Sequence, residues 1–226
     1  MCRGVYMLRV FLDIETLPPE RDEPLLKERI AQLDEEEYRR LALDGRYGRL
    51  LCIGLIIEEN NLITRRGVLG RDRNTGKFHL DETKILRSFW KLICGFDPRQ
   101  DLLVGFNLLD FDLDFLCTRS VIRQVKPPFN ICFARFRASP VYDVMWEFTH
   151  WRKKISLDEV SKVLGLESSK QDEVNGSKVY DLFLAGRHKE IADYCLKDVE
   201  LTRAIYRRMN FIAETTDSPS GSKPMK

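Results

Sequence analysis

The sequence predicts an α/β fold in which helices cover the faces of a sheet. Three apolar segments of strand length come early in the chain, another follows a helical pattern, and the remaining residues have mainly helical spacing. Strands that are followed by interleaved helices are typical of such a layered fold. The 226 residues are enough for one domain with a full core, and 43% hydrophobic with 32% charged residues are typical of a globular protein.

The predicted strands are apolar runs bounded by turn residues. Leu8 to Ile14 form the first, Leu50 to Glu58 the second, and Leu62 to Leu69 a third that leads into a turn-rich segment at 70–76. These three can pair as a meander. A further strand is predicted over Asp101 to Phe106.

The helices are predicted from apolar spacing and from capping residues. Apolar residues recur at helical spacing between Asp81 and Gly95, with Asp81 suited to cap the helix and Gly95 to end it. Ser156 and Glu159 have the spacing of a capping box. The other predicted helices span Asp110 to Val121, Tyr142 to Thr149, Ser156 to Leu164 and His188 to Phe211.

A long connection, Pro18 to Arg49, separates the first two predicted strands. Its part from Leu25 to Leu43 is charged and helix-prone, and Gly45 can end the helix. One interpretation is a lid over a site. The other is a solvated surface helix, which we favour from the sequence.

Composition excludes several classes of protein. The 37 Lys and Arg against 35 Asp and Glu leave a net charge of +2, so the total charge indicates neither a nucleic-acid nor a membrane partner. The longest apolar run, Leu50 to Ile57, is far shorter than the roughly 20 residues of a membrane-spanning helix, and no signal-peptide core is present near the first residue. We therefore expect a cytoplasmic protein. The six cysteines and three histidines have no zinc-site or disulfide spacing, and most of the cysteines are expected in the core.

Two acidic residues stand inside the first predicted strand. Side chains alternate along a strand, so Asp13 and Glu15 point to the same face. Burying two neighbouring like charges is costly unless a cation neutralises them, and a divalent metal with oxygen ligands meets that need. The alternative is a strand end that emerges into solvent, which is commoner for an isolated pair of acids.

Three acidic residues, Asp110, Asp112 and Asp114, alternate with apolar residues after the fourth predicted strand. A structural interpretation is that Asp110 caps the next helix while the others lie in its first turn, where the helix dipole favours negative charge. This interpretation is adequate for Asp110 and Asp114.

The last predicted helix carries an acidic residue at a core position. At 100° per residue, Asp198 falls among apolar residues and away from the polar face. Tyr194 lies one turn earlier on the same stripe, so its hydroxyl can reach the space that Asp198 faces. A tyrosine alone on such a stripe more often packs in the core, and it is the pair that indicates function. The polar face is predicted to contain Asp193, Lys197, Glu200, Arg203 and Arg207.

Together these motifs resemble those of the DEDD (DnaQ-like) superfamily of 3′ to 5′ exonucleases and, within it, of the tyrosine-containing DEDDy group. Asp13 and Glu15 match the first family motif, Asn107 to Asp112 the second, and Tyr194 with Asp198 the third. The segments FLDIET, VGFN and IADYCLKDVELT are most similar to relatives of the proofreading domain of family B DNA polymerases. The resemblance covers nearly the whole chain and implies a ribonuclease H-like mixed sheet, an antiparallel meander plus parallel strands.

The resemblance implies a site with two divalent cations, Mg²⁺ or Mn²⁺, acting on a single-stranded nucleic acid with a free 3′ end. Tyr194 would orient the attacking water through its hydroxyl, because an ordinary tyrosine pKa near 10 makes it a poor base. Asp143 is expected to support the site or the fold. The metal ligands would be Asp13, Glu15, Asp112 and Asp198. The residues near the terminal nucleotide would be Leu17, Asn107 and Phe111.

Basic and aromatic residues are interleaved between the second and third motifs. This pattern suits a single strand, with phosphates on the cations and bases on the rings, but it equally suits a solvated basic surface around core aromatics. The basic residues are Arg119, Arg123, Lys126, Arg135, Arg137, Arg152, Lys153 and Lys154. The aromatic residues are Phe129, Phe133, Phe136 and Trp151.

The resemblance favours single-stranded DNA as the substrate. An exoribonuclease stays open because related DEDD proteins process RNA and nothing in this sequence reads the 2′ hydroxyl. A non-catalytic nucleic-acid-binding module is another alternative, although all five catalytic positions are present. We expect one exonuclease domain over residues 1–213 with a disordered tail at 214–226, and a partner polymerase or repair protein for any proofreading role.

Overall fold

A single mixed sheet forms the centre of the fold. The computed structural model describes residues 7–72, 74–167 and 176–213, and its five strands lie in the order β3-β2-β1-β4-β5. The pairs β1/β2 and β2/β3 are antiparallel, whereas β1/β4 and β4/β5 are parallel. The predicted meander followed by parallel strands is therefore confirmed. The strands are β1 (Leu8–Leu17), β2 (Arg49–Glu59), β3 (Leu62–Leu69), β4 (Leu102–Gly105) and β5 (Val141–Asp143).

Helices cover both faces of this sheet. Asp81 caps α3 by accepting the Lys84 N–H at 2.9 Å, and Ser156 with Glu159 forms the predicted capping box of α6. The helix predicted over Tyr142 to Thr149 begins later, because its first residues extend the sheet as β5. The helices are α1 (Lys27–Ile30), α2 (Glu35–Arg40), α3 (Glu82–Leu92), α4 (Asp112–Ile122), α5 (Val144–Phe148), α6 (Leu157–Val163), α7 (Val179–Leu184) and α8 (His188–Met209). Helix α7 was not predicted, and the predicted tail at 214–226 lies outside the described residues.

Strand β1 is central and buried, and its two faces pack against different helices. Leu12 and Ile14 belong to the core cluster that includes Phe89 of α3. Phe11 belongs to the cluster on the other face, which includes Val199 of α8. The alternation places the odd-numbered side chains of β1 toward α8.

The connection between β1 and β2 is folded onto the domain. It contains α1, α2 and a 3₁₀ turn at Leu41–Leu43 instead of the one predicted helix. Tyr38 is only 2% exposed, and its hydroxyl donates to the Pro19 carbonyl at 2.7 Å. Tyr38 packs with Ile30 and Leu41 in a small cluster of its own. The connection thus forms two short helices instead of one; most of their residues are exposed, as the favoured surface-helix interpretation expects, and this buried cluster attaches them to the domain.

Two buried ion-pair networks connect elements across the fold. Glu82 of α3 accepts from Arg119 of α4, at 2.9 and 2.6 Å, and from Arg123, which directly follows α4, at 2.7 Å. Glu58 of β2 pairs with Arg207 and with other arginines of β1 and α8. Arg119 is only 5% exposed, so it does not belong to the predicted basic surface. Arg207 is only 4% exposed, so it does not lie on the predicted polar face of α8.

The structure also corrects the expectations for Asp110 as a helix cap and for the cysteines as core residues. Asp110 does not cap α4: the N-cap is Phe111, and the Asp110 carboxylate pairs with Arg135 and Lys154. Among the five cysteines in the described ranges, Cys52 and Cys195 are buried, and the other three are exposed or intermediate. No helix within those ranges has the length and apolar character needed to span a membrane.

Candidate active site

Strand β1 and helix α8 bring four of the predicted catalytic side chains to one cleft. Asp13 and Glu15 from β1 and Tyr194 and Asp198 from α8 all line a cleft of about 550 Å³. The register of β1 against β2 shifts between Glu15 and Thr16, a local irregularity of the kind that often lies beside functional sites. The shared face predicted for Asp13 and Glu15 is thus directed at α8.

Asp112, the first residue of α4, contacts strand β1 beside the acidic pair. Its side chain is 2% exposed, and its Oδ1 accepts the backbone N–H of Ile14 at 3.0 Å. Ile14 stands between Asp13 and Glu15, so this hydrogen bond attaches α4 to β1 at the acidic pair. Asp112 is not among the side chains that line the cleft.

The acids destabilise one another's charged forms. Burial raises the pKa of Asp13 well above its ordinary value, and the charges of Asp112 and Asp198 raise it further. The pKa of Glu15 is raised in the same way, by burial and then by Asp13 and Asp198. Burial also raises the pKa of Asp112, against the opposing hydrogen bond from the Ile14 N–H. Four carboxylates from three elements therefore share one electrostatic environment.

This arrangement fits a divalent cation. In the described part of the chain, no lysine or arginine forms an ion pair with Asp13, Glu15 or Asp112. A ligand atom each from Asp13, Glu15 and Cys195 lie within 4.8 Å of one another. Carboxylate oxygens are the ligands that Mg²⁺ and Mn²⁺ prefer, so the oxygen donors suit these ions.

Cys195 is a neighbour of the site that sequence reasoning placed only in the core. Its Sγ donates to the backbone carbonyl of Asp13 at 3.6 Å. A side chain at Gly54 would place its Cβ 2.8 Å from that sulfur, so α8 approaches the sheet closely only because residue 54 is glycine. The signal in the sequence was the position of Cys195 one turn before Asp198 on the same helix face.

Tyr194 is positioned as a hydrogen-bond donor. Burial raises its pKa, and the negative charges of Asp198, Glu15 and Asp13 raise it further. A side-chain hydrogen bond links the tyrosine with Asp198. The hydroxyl therefore keeps its proton at neutral pH and is suited to orienting a group rather than accepting a proton.

The three predicted substrate residues occupy different environments. Phe111 lines the cleft. Leu17 is fully buried in a core cluster with Leu51, and neither Leu17 nor Asn107 is among the lining residues. Asn107 has a left-handed backbone with φ 58°, which asparagine tolerates well. The substrate roles of Leu17 and Asn107 stay predictions.

Asp143 organises the turn that leads to α4. It accepts the backbone N–H groups of Asn107 at 3.1 Å and Leu109 at 3.0 Å, and that of Met145 at 3.1 Å. Burial raises the pKa of Asp143 to about 6, although these hydrogen bonds oppose the rise. Its role is to hold the backbone of the second motif.

Sequence reasoning missed the wall that the β1–β2 connection contributes to the cleft. Glu36, Arg39 and Arg40 of α2 line the cleft together with residues of α7 and the preceding turn. Arg39 pairs with Asp181 at 2.7 Å, which joins the connection to α7. Residues of both the acidic pair and the connection thus line the cleft.

The chain is similar to known proteins in part of its sequence and in its fold. The profile of a family described as "Predicted 3'-5' exonuclease related to the exonuclease domain of PolB" matches residues 45–223, so Asp13 and Glu15 precede the matched segment. No curated protein sequence matches the chain.

A family B DNA polymerase from the hyperthermophilic archaeon Pyrobaculum calidifontis has a similar structure, with a TM-score of 0.58 and 19% sequence identity. The match covers 92% of this chain but 25% of the polymerase, so the chain spans about a quarter of that protein. The mixed sheet with its flanking helices is accordingly the ribonuclease H-like fold of a polymerase exonuclease domain. With more than half of its residues matched, the chain belongs to the family of predicted 3′ to 5′ exonucleases related to the PolB exonuclease domain.

Proposed function

We propose that the protein is a metal-dependent exonuclease that hydrolyses single-stranded DNA from the 3′ end and releases nucleoside 5′-monophosphates. The observation that carries this proposal is the convergence of buried acids from β1, α4 and α8 beside an open cleft. A fold has little reason to gather acids whose pKa values are raised by burial unless a cation is to bind among them. Family membership points to the same chemistry.

The ligands proposed for two cations, Mg²⁺ or Mn²⁺, are Asp13, Glu15, Asp112 and Asp198. Bound there, such cations activate water and stabilise charge on a phosphodiester. The chain itself supplies the fixed geometry: the Ile14 N–H holds Asp112, and β1 aims Asp13 and Glu15 at α8.

The cleft is proposed to hold the terminal nucleotide. Among its lining residues, Phe111 offers an apolar surface, and Arg39 and Arg40 offer positive charge. Leu17 and Asn107 are proposed to complete the contact with this nucleotide.

RNA is the second candidate substrate. We propose DNA as the substrate because the family is related to the exonuclease domain of a DNA polymerase. The proposed location is the cytoplasm. For any proofreading role, the proposed partner is a polymerase or repair protein. Single strands of matched sequence, one DNA and one RNA, incubated with Mn²⁺ test the choice, with EDTA as the control. Faster loss of DNA supports the proposal, faster loss of RNA assigns an exoribonuclease, and binding without cleavage of either assigns a non-catalytic module.

Replacing Tyr194 with phenylalanine should lower turnover about 10- to 10³-fold, because the ring still packs but the donor hydroxyl is lost. Metal and substrate affinities should stay close to those of the parent. Single-turnover cleavage of a labelled strand at saturating Mn²⁺ measures the effect. Tyr180→Phe is the matched control, since Tyr180 lines the same cleft and its hydroxyl faces that of Tyr38 at 3.4 Å. Unchanged turnover of Tyr194→Phe would reduce Tyr194 to a packing residue.

A further inference from the structure

A group of three aromatic rings, one of them exposed, lies beside the second motif. Phe136 packs against Trp151 at a tilted angle of 42°, with ring centroids 5.0 Å apart, and Trp151 lies parallel to Trp146 at 5.6 Å. Phe136 nevertheless stays 75% exposed. A ring that exposes so much apolar surface adds little to the core, so packing alone does not account for its position.

The backbone holds these rings in an unusual conformation. Phe136 and Trp151 both have φ of 60°. Bulky side chains rarely adopt this left-handed region, and such strain is concentrated at functional sites. These two residues are also in ring contact with each other, so the strained backbone and the exposed ring belong to one feature.

Exposed basic residues adjoin these rings in the chain. Arg137, Arg152 and Lys153 are exposed, and none of them forms an ion pair with the residues that the structure describes. Exposed cations next to an exposed ring complement an anionic polymer that carries aromatic groups. We call Phe136, Arg137, Trp151, Arg152 and Lys153 the aromatic-basic surface.

This surface is joined to the cleft through Asp110. Arg135 and Lys154, the residues next to the aromatic-basic surface in the chain, pair with Asp110 at 2.5 and 3.3 Å. Asp110 directly precedes Phe111, which lines the cleft. Because consecutive Cα atoms are about 3.8 Å apart, these ion pairs hold the surface at the edge of the cleft.

We propose that the aromatic-basic surface binds the nucleotides that precede the 3′-terminal one, with a base stacked on the open face of Phe136 and phosphates on the three cations. The inference rests on the proposed exonuclease function, since it assigns the path of that same substrate. None of the five residues of this surface lines the cleft. Substitutions in the surface should therefore change binding of the strand without changing the groups that hydrolyse its end.

Binding is measured in EDTA, where no cleavage occurs, by fluorescence anisotropy of a labelled single strand of about 15 nucleotides. Phe136→Ala should weaken binding about 5-fold or more, and Phe136→Trp should restore it, because stacking tolerates any flat ring. The triple variant R137Q/R152Q/K153Q should lower the slope of log Kd against log salt by about 2. The matched control K84Q/R87Q/K91Q removes three cations from α3 and should leave the affinity within twofold of the parent.

Hydrolysis of the p-nitrophenyl ester of thymidine 5′-monophosphate separates this proposal from the exonuclease proposal, because the ester is too small to reach the aromatic-basic surface. Phe136→Ala should raise KM for the long strand while the ester is cleaved at the parental rate. If both Phe136→Ala and the triple variant bind the strand with the parental affinity and salt slope, the proposal that this surface binds the strand is wrong. A parent that cleaves neither substrate but loses strand affinity with these substitutions would overturn the exonuclease function and keep the surface.

Discussion

Replacing Asp13 with asparagine should lower hydrolysis at least about 10³-fold, because the neutral amide neither holds a divalent cation strongly nor completes the cluster of charges. Cleavage of a labelled single strand with saturating Mn²⁺ measures the loss. Asp193→Asn is the matched control, since Asp193 is exposed and lies outside the cleft on the same helix as Asp198. Retention of more than a tenth of the parental rate would contradict a ligand role for Asp13.

The same variant should be more stable than the parent in EDTA at neutral pH. Burial and the charges of Asp112 and Asp198 raise the pKa of Asp13 in the folded state above the unfolded value of about 3.9. Ionisation therefore costs stability progressively as the pH rises from about 4 through the raised pKa, whereas at lower pH both states are protonated and the cost is absent. Asp13→Asn should therefore raise Tm at pH 7, because the amide carries no charge to be buried.

Thermal unfolding followed by circular dichroism in EDTA checks this sign. The difference between the variant and the parent should shrink toward about pH 3, where the carboxyl is protonated in both states. A variant that melts below the parent at neutral pH would mean that Asp13 stabilises the fold through its charge, and the metal-site account of this residue would fail.

Replacing Glu82 with glutamine should lower the free energy of unfolding by about 3 kcal/mol, because Arg119 is buried and loses its charged partner. The side chains of Glu82 and Arg119 are 4% and 5% exposed, and Glu82 also accepts the Leu50 N–H at 2.7 Å. Burial alone would raise the pKa of Glu82, but the hydrogen bond and charge of Arg119 hold it below its ordinary value. Tm should fall by about 6–12 °C.

Glu36→Gln supplies the matched control for this loss. Glu36 also pairs with an arginine, Arg40, but both side chains are more than 70% exposed. Solvent screens such a pair, so this substitution should change the free energy of unfolding by no more than about 0.5 kcal/mol. Equal effects of the two substitutions would contradict a structural role for the buried pair.

Local patterns predicted most of the central sheet and the longer helices. The apolar runs of β1, β2 and β3 and the caps of α3 and α6 are visible in a few consecutive residues. Strand β5 is only three residues long, and the segment around it has the apolar spacing of a helix, so the prediction merged it with α5. Pairing with β4, which is remote in sequence, determines its extended form.

The acidic cluster was predictable because its members violate their local patterns. Asp13 interrupts an apolar strand, and Asp198 occupies the apolar face of a helix. The wall formed by α2 was not predictable, because it depends on distant contacts such as the ion pair of Arg39 with Asp181. The burial of Arg119 likewise depends on Glu82 in another helix, and an isolated arginine gives no local signal of such a partner.

The central claim is that these acids catalyse metal-dependent removal of nucleotides from a 3′ end. A linear single strand labelled at its 5′ end, incubated with Mg²⁺ or Mn²⁺ beside a circular single strand of the same composition, tests this claim most directly. The account predicts a ladder of 5′-labelled products that shortens one nucleotide at a time, release of nucleoside 5′-monophosphates, an intact circle and no reaction in EDTA. Rapid cutting of the circle, or immediate release of the 5′ label as a mononucleotide, would contradict it.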